Sequence, residues 1–256
     1  MKPRAVRLLV VLLVVLVLLA IAVTVAARGG SDGVERRTVG EGAEAAVVLL
    51  PAGEGPHPAV LFLHGWRSRS PDDYEPWLEH LVEEGNAVVY PVYEPRGLSF
   101  PSTWLPSALV GVRAAFEELP LRREGLVVTG HSAGGALAAD YAAAAAEAGL
   151  PPARALFSVY PGRRLRGFPG FIPRVDPARI PARTRVLAVA GADDVAVGDE
   201  EARALVAGAT RVPRERRRFE EITDPEADDH SAPQRDDAAA RRAFWRRLDR
   251  LIAAAR

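Results

Sequence analysis

The sequence contains no cysteine. That removes disulfides, thiolate metal sites and a cysteine nucleophile, and leaves serine or threonine for any covalent chemistry. It leaves the compartment open, because a chain without thiols folds on either side of a membrane. Net charge is absent as well: 33 basic residues balance 33 acidic ones, so no whole-molecule field draws the protein toward nucleic acid, and no nucleic-acid partner is expected. No histidine or carboxylate cluster has metal-ligand spacing, so neither a metal nor a cofactor is implied. There is no internal repeat. What is present is an ordinary globular composition, 48% hydrophobic and 26% charged over 256 residues, enough for one large domain with a substantial core.

The N-terminus departs from that composition. Lys2, Arg4 and Arg7 precede an apolar run from Leu8 to Ala27, interrupted only by Thr24, and Arg28 with a Gly-Gly-Ser-Asp-Gly stretch follows. A helical run of roughly 20 residues spans about 30 Å, the thickness of a bilayer core. Residues 1–28 therefore read as a membrane anchor, a single transmembrane helix. The alternative is a cleaved signal segment, with Val25, Ala26 and Ala27 as the small residues at the cut, although a signal's apolar region is usually only about 7–15 residues long. Positive charge ahead of the run keeps the N-terminus in the cytoplasm and the remainder outside. Residues 29–43 read as a polar linker and 44–256 as the folded domain.

Beyond the linker, short aliphatic runs bounded by Gly and Pro alternate with helical patterns, which predicts an α/β fold with a mostly parallel sheet covered by helices. Strands are expected at Val47 to Leu50, Ala59 to Leu63, Ala87 to Val92, Leu126 to Thr129, Ala155 to Val159 and Arg185 to Ala190, with a further one at Arg218 to Ile222. Helices are expected at Tyr74 to Glu84, Ala108 to Leu119, Ala133 to Ala148 and Asp236 to Ala255. The last has an apolar face (Phe244, Trp245, Leu248, Leu251, Ile252) and a basic remainder, the pattern of a terminal helix packed on the domain. Pro161 to Arg183 is proline-broken and reads as a loop over a site.

Chemistry concentrates at Gly130-His131-Ser132-Ala133-Gly134-Gly135, a G-x-S-x-G sequence between an expected strand and an expected helix. A sharp strand-to-helix turn needs small neighbours so that the serine can stand in a strained conformation, which Gly130 and Gly134 allow. Helix N-terminal N–H groups then favour negative charge beside Ser132. A serine nucleophile needs a base, and the base an orienting carboxylate. The run Val186 to Ala190 ends in Gly191-Ala192-Asp193-Asp194, which puts a carboxylate at the C-terminal end of a strand, where open α/β sheets build sites. His230 follows in the loop before the last helix.

With these motifs in this order, the sequence resembles the α/β-hydrolase superfamily over essentially all of the chain beyond the membrane segment. It looks most like the esterase, lipase and dienelactone-hydrolase-like members with a small or absent cap. The resemblance implies a triad of Ser132, Asp194 and His230. Asp194 is preferred to Asp193 because the family spaces its acid three residues after the strand-ending glycine, here Gly191. It also implies, from Leu63-His64-Gly65-Trp66, an HG-x motif whose last residue, Trp66, donates one oxyanion-hole N–H, with Ala133 donating the other. His64 is expected to fix the loop and His131 to pack beneath the elbow, while His57 and His80 read as surface residues.

These expectations amount to a serine hydrolase acting on a small-molecule acyl substrate, with carboxylic ester cleavage first. Amidase, peptidase and thioesterase activities use the same machinery, and an idle scaffold that binds a partner at the membrane is the reading from another class. The expected site walls are Glu94 to Pro106 and Pro161 to Arg183, which mix Phe100, Trp104, Phe168 and Phe171 with Arg96, Arg163, Arg164 and Arg166. The arginines there are expected to be solvated surface groups.

Overall fold

Aliphatic runs of five to seven residues, buried on both faces, form the middle of an eight-stranded sheet in the computed structural model, which describes residues 34–94, 100–164 and 172–256. The strands are β1 (Glu35–Val39), β2 (Ala46–Leu50), β3 (Ala59–Leu63), β4 (Ala87–Pro91), β5 (Val127–His131), β6 (Ala155–Val159), β7 (Arg185–Gly191) and β8 (Arg217–Ile222). Their order is β1-β2-β4-β3-β5-β6-β7-β8, with β2 antiparallel to both neighbours and every later pair parallel. The central strands β3 to β6 are buried at every position, as parallel strands covered on both sides must be, while the edge strand β1 is largely exposed and β8 only partly buried.

Alternate residues of each strand feed two separate cores. Leu61 and Leu63 join the layer containing α2 (Trp104–Glu118), α3 (Ala133–Ala144) and α4 (Glu200–Gly208). Val60 and Phe62 join the opposite layer, with α1 (Glu75–Glu83) and α5 (Arg246–Ala255). Helix α5 continues a helical start at Ala238–Ala240 and a π-helical turn at Arg241–Trp245. Helix α3 is buried almost all round, and its Ala and Gly side chains let it lie close against β5 and β6. Gly85, at φ +82°, ends α1 in the left-handed conformation that glycine adopts without strain.

Two differences from the sequence reading have a common cause. The stretch 29–43, read as a linker, includes β1, whose mixed pattern Glu-Arg-Arg-Thr-Val is that of a solvated edge strand held by register with β2 rather than by burial. Helix α4 was not expected, since only Ala202 and Leu205 of it are buried. The membrane or signal segment 1–28 lies outside the described residues. Among those residues no helix is long and apolar enough to cross a membrane.

Candidate active site

The register decides where the site forms. Leu63 pairs with Gly130, so β3 and β5 end level and the loop after β3 lies beside the turn after β5. A β-carbon added to Gly65 would stand 3.6 Å from that of Ser132. Strands β7 and β8 end at the same edge of the sheet, bringing the loops that hold Asp194 and His230.

Ser132 sits at φ 58°, ψ −121°, a conformation that costs an L-residue about 1–3 kcal/mol and persists only where the surroundings enforce it. They do so here. Its N–H donates to the Val159 carbonyl (3.0 Å), and its own carbonyl accepts from Ala136 (3.2 Å) and Gly162 (3.1 Å). The glycines around it admit no side chain: a β-carbon on Gly134 would meet the Leu63 oxygen at 2.0 Å, and one on Gly130 the Gly134 oxygen at 2.3 Å. The elbow is thus wedged against the end of β3.

Three of the expected residues form a line. His230 Nε2 lies 2.9 Å from Ser132 Oγ, and His230 Nδ1 lies 2.8 Å from Asp194 Oδ2. Asp194 is buried, and its other oxygen accepts from the N–H groups of Ala196 (3.0 Å) and Val197 (3.2 Å), so both oxygens are fixed. Asp193 is exposed and takes no part. The histidine loop is pressed against β7, since a β-carbon on Gly191 would meet the Asp228 oxygen at 1.9 Å. Tyr160, buried beside His230, donates its hydroxyl to the Ala227 carbonyl at 2.5 Å.

Ala133 is the first residue of α3, where N–H groups have no intrahelical acceptor. Trp66 follows Gly65 in the loop beside Ser132 and lines the same cleft. That loop is held from β4: Tyr93 donates to the His64 carbonyl, Tyr90 to the carbonyls of Ser68 and Ser70, and the buried Glu94 accepts from Arg67 N–H (2.7 Å) and Arg69 Nη2 (3.0 Å). His64 stacks on Tyr93 with ring centroids 4.0 Å apart, and its Nδ1 lies 2.7 Å from the Gly65 carbonyl. Burial depresses its pKa to about 4, so the ring is neutral.

His131 does more than pack beneath the elbow. Its Nε2 lies 2.9 Å from the His230 carbonyl and its Nδ1 lies 2.9 Å from the Tyr74 hydroxyl, which accepts from Gly65 N–H at 3.1 Å. A carbonyl only accepts, so Nε2 carries the proton and Nδ1 receives the Tyr74 hydroxyl hydrogen. Burial, with the nearby His230 adding to it, holds the His131 pKa down to about 3. One buried chain of hydrogen bonds therefore joins the loop after β3 to the loop of His230.

The cleft over Ser132 and His230 has a volume of about 280 Å³, with Trp66, Ser68, Gly162, Arg164, Val197 and Gln234 among its walls. Two expected walls are corrected. Trp104 is buried in the core on α2. Arg163 is no solvated surface group: it is 7% exposed, gripping Asp140 of α3 with both terminal nitrogens (2.8 and 2.9 Å) and Glu201 through Nε (2.6 Å). Phe100 is exposed, while Arg96, Arg166, Phe168 and Phe171 lie outside the described residues. His80 is no plain surface group either, since it lies 3.1 Å from both Asp249 oxygens. Among the described residues no group of three His, Asp or Glu side chains is placed to hold a metal ion.

Sequence reasoning missed Tyr74, Tyr90, Tyr93 and Tyr160, which stand in ordinary helix, strand and loop contexts without a motif, and read Glu94 as a site wall rather than the buried holder of the loop after β3. A family model described as the alpha/beta hydrolase fold matches residues 60–170. No curated protein matches the chain. Among solved structures, a thermostable esterase from Pseudomonas putida is 18% identical (TM-score 0.67, 91% of this chain and 86% of that one). The hyperthermophilic esterase of the archaeon Pyrobaculum calidifontis is 17% identical (0.68; 92% and 88%). A putative dienelactone hydrolase from Klebsiella pneumoniae is also 17% identical (0.62; 87% and 99%). At these identities the likeness carries the fold.

Proposed function

This chain has the α/β-hydrolase fold, and on that premise we propose that it is a serine hydrolase cleaving carboxylic esters through an acyl-enzyme intermediate. One observation carries the reading: the unbroken line from Asp194 through His230 to Ser132, ending on a serine held at positive φ. With Asp194 accepting from Nδ1–H, His230 presents an unprotonated Nε2 to the serine hydroxyl.

His230 takes the Ser132 proton as Oγ attacks the ester carbonyl carbon. The oxygen that becomes negative is stabilised by the N–H groups of Trp66 and Ala133, aided by the α3 dipole. Collapse of the tetrahedral intermediate expels the alcohol, which leaves with the proton from His230, and water activated by the same histidine then releases the acid. Asp194 orients the ring and stabilises its charged form. The esterases among the similar structures support ester over amide cleavage. Residues 1–28 are assigned as the anchor of a domain held outside the cytoplasmic membrane, on the apolar run and the positive charges before it.

The test is hydrolysis of p-nitrophenyl esters of increasing acyl length by the full chain in detergent, beside Ser132→Ala. The unmutated protein is expected to turn over short esters, and Ser132→Ala to lose at least about 10³-fold in kcat. Equal rates from the two proteins would sink the assignment.

A further inference from the structure

Among the described residues, one cavity is far larger than the cleft over Ser132. It has a volume of about 1070 Å³ and opens at the opposite end of the sheet. Pro58, Gly85, Arg122 to Gly125, Pro151, Pro152, Arg154 and Arg183 line it, and these are the residues that lead into β3, β4, β5, β6 and β7. Arg256, beyond the end of α5, completes the rim.

This base is charged although the chain as a whole is not. Arg122, Arg123, Arg154, Arg183 and Arg256 line the cavity against Glu84 and Glu124. Among the described residues none of these five arginines has a carboxylate within ion-pair distance, whereas Arg163, Arg235 and Arg247 elsewhere are paired. Arg122 and Arg123 donate to the carbonyls of Pro56 and Gly149, and Arg256 to Asn86 Oδ1 (3.1 Å), contacts that orient a guanidinium without neutralising it. Arg122, Arg123, Arg183 and Arg256 are exposed.

The topology brings Val34, where the described N-terminal part begins, to this same end. β1 is antiparallel to β2 and β2 to β4, so β1 runs with the parallel strands and begins at their base, with Glu35 opposite Leu50. From β1 to β5, which Arg122 and Arg123 precede, is four strand spacings, about 19 Å, and to β7, which Arg183 precedes, six, about 29 Å. Residues 28–33 separate the apolar run from the domain, and six residues reach at most about 20 Å. Because a bilayer is a plane, one holding Leu8 to Ala27 would lie within about 20 Å of the whole base, arginines included.

We propose that this base is a docking surface for anionic phospholipid headgroups in the membrane that holds the N-terminal segment. The proposal rests on the anchor reading, not on the esterase reading. Short tether and unneutralised guanidiniums act together: the tether keeps the arginines within reach of the bilayer, and their charge orients the domain on it. The active cleft, at the other end of the strands, then faces away from the bilayer, and its ester substrate arrives from the aqueous phase.

Hydrogen–deuterium exchange of the full chain in lipid nanodiscs tests this. Discs of neutral phosphatidylcholine are compared with discs in which roughly a third of the lipid is phosphatidylglycerol. Exchange at 122–125, 150–154 and 181–185 is expected to slow at least about threefold in the anionic discs, with 64–70 and 228–231 unchanged. The protection should vanish at about 0.5 M salt, where the screening length falls to about 4 Å. It should also vanish in a variant combining Arg122→Gln, Arg123→Gln and Arg183→Gln. Identical exchange in the two discs, protection of the cleft loops instead of the base, or a chain that does not enter discs would each overturn the proposal. Equal protection by inorganic pyrophosphate in neutral discs would overturn it too, giving the arginines to a soluble anion.

Discussion

His131 occupies the variable position of the G-x-S-x-G sequence, and its two ring nitrogens have separate duties: Nε2–H steadies the His230 backbone, and Nδ1 receives Tyr74. Those duties can be taken apart. In His131→Gln the amide nitrogen stands near the position of Nε2 and can still donate to His230; in His131→Asn the oxygen stands near Nδ1 and can still accept from Tyr74. If the bond to His230 sets the reach from Nε2 to Ser132 Oγ, Gln should keep kcat within about threefold and Asn should lose roughly 10–100-fold, a scale consistent with about 1.4 kcal/mol per decade. KM should hold in both. Steady-state kinetics, with thermal melts to show both variants folded, decide it; equal loss in the two would mean that the ring matters only for packing.

At the level of elements, the buried Arg163 ties α3, the loop after β6 and α4 into one unit. It holds Asp140 and Glu201 and donates to the Pro173 carbonyl (2.8 Å), while Asp140 also accepts from Val175 N–H (2.9 Å). Burial raises the Asp140 pKa against the pull of Arg163, the mark of a charge out of water that depends on its partner. Removing one member should cost more than removing both. Asp140→Ala is expected to lose about 3 kcal/mol of unfolding free energy in urea, because the buried Arg163 guanidinium keeps Glu201 but loses the carboxylate held by both its terminal nitrogens, and adding Arg163→Met should recover a good part of it. A double variant less stable than the single one would contradict this account.

For the whole molecule, acid should be destabilising through its buried histidines. His64 and His131 have folded-state pKa values of about 4 and about 3, both set first by burial, against 6.5 for the free side chain. Between pH 6.5 and those values the unfolded chain binds protons that the folded one refuses, so stability is full above pH 6.5 and falls as pH drops through that window. At about 1.4 kcal/mol per pH unit for each group, the pair accounts for about 4 kcal/mol lost by pH 5. Urea unfolding at pH 7 and pH 5 measures the loss, and His131→Gln should remove roughly half of it. An unchanged midpoint shift in that variant would assign the acid response to other groups.

Much of the α/β sheet was legible in the sequence, because β3 to β7 are aliphatic runs punctuated by Gly and Pro, buried on both faces and thus free of ambiguous pattern. A serine in a strained turn, a strand-end carboxylate and a later histidine were legible too as candidates in that order, while the choice of Asp194 over Asp193 came from the resemblance, and the structure places Asp194 against His230. Edge strand β1 and helix α4 left no mark in the sequence, being mostly exposed or only half-buried and held by neighbours rather than by their own pattern. The sequence by itself thus determined the sheet's interior, the elbow and the order of the three residues, because those depend on local chemistry. The chain order of the strands is not their order in space, and only the tertiary structure decided what hangs on that difference. It put four strand ends at one edge, carried Tyr74 and Glu94 to the loop after β3, and gathered arginines far apart in the chain beneath the sheet, beside the strand that leads from the N-terminal segment.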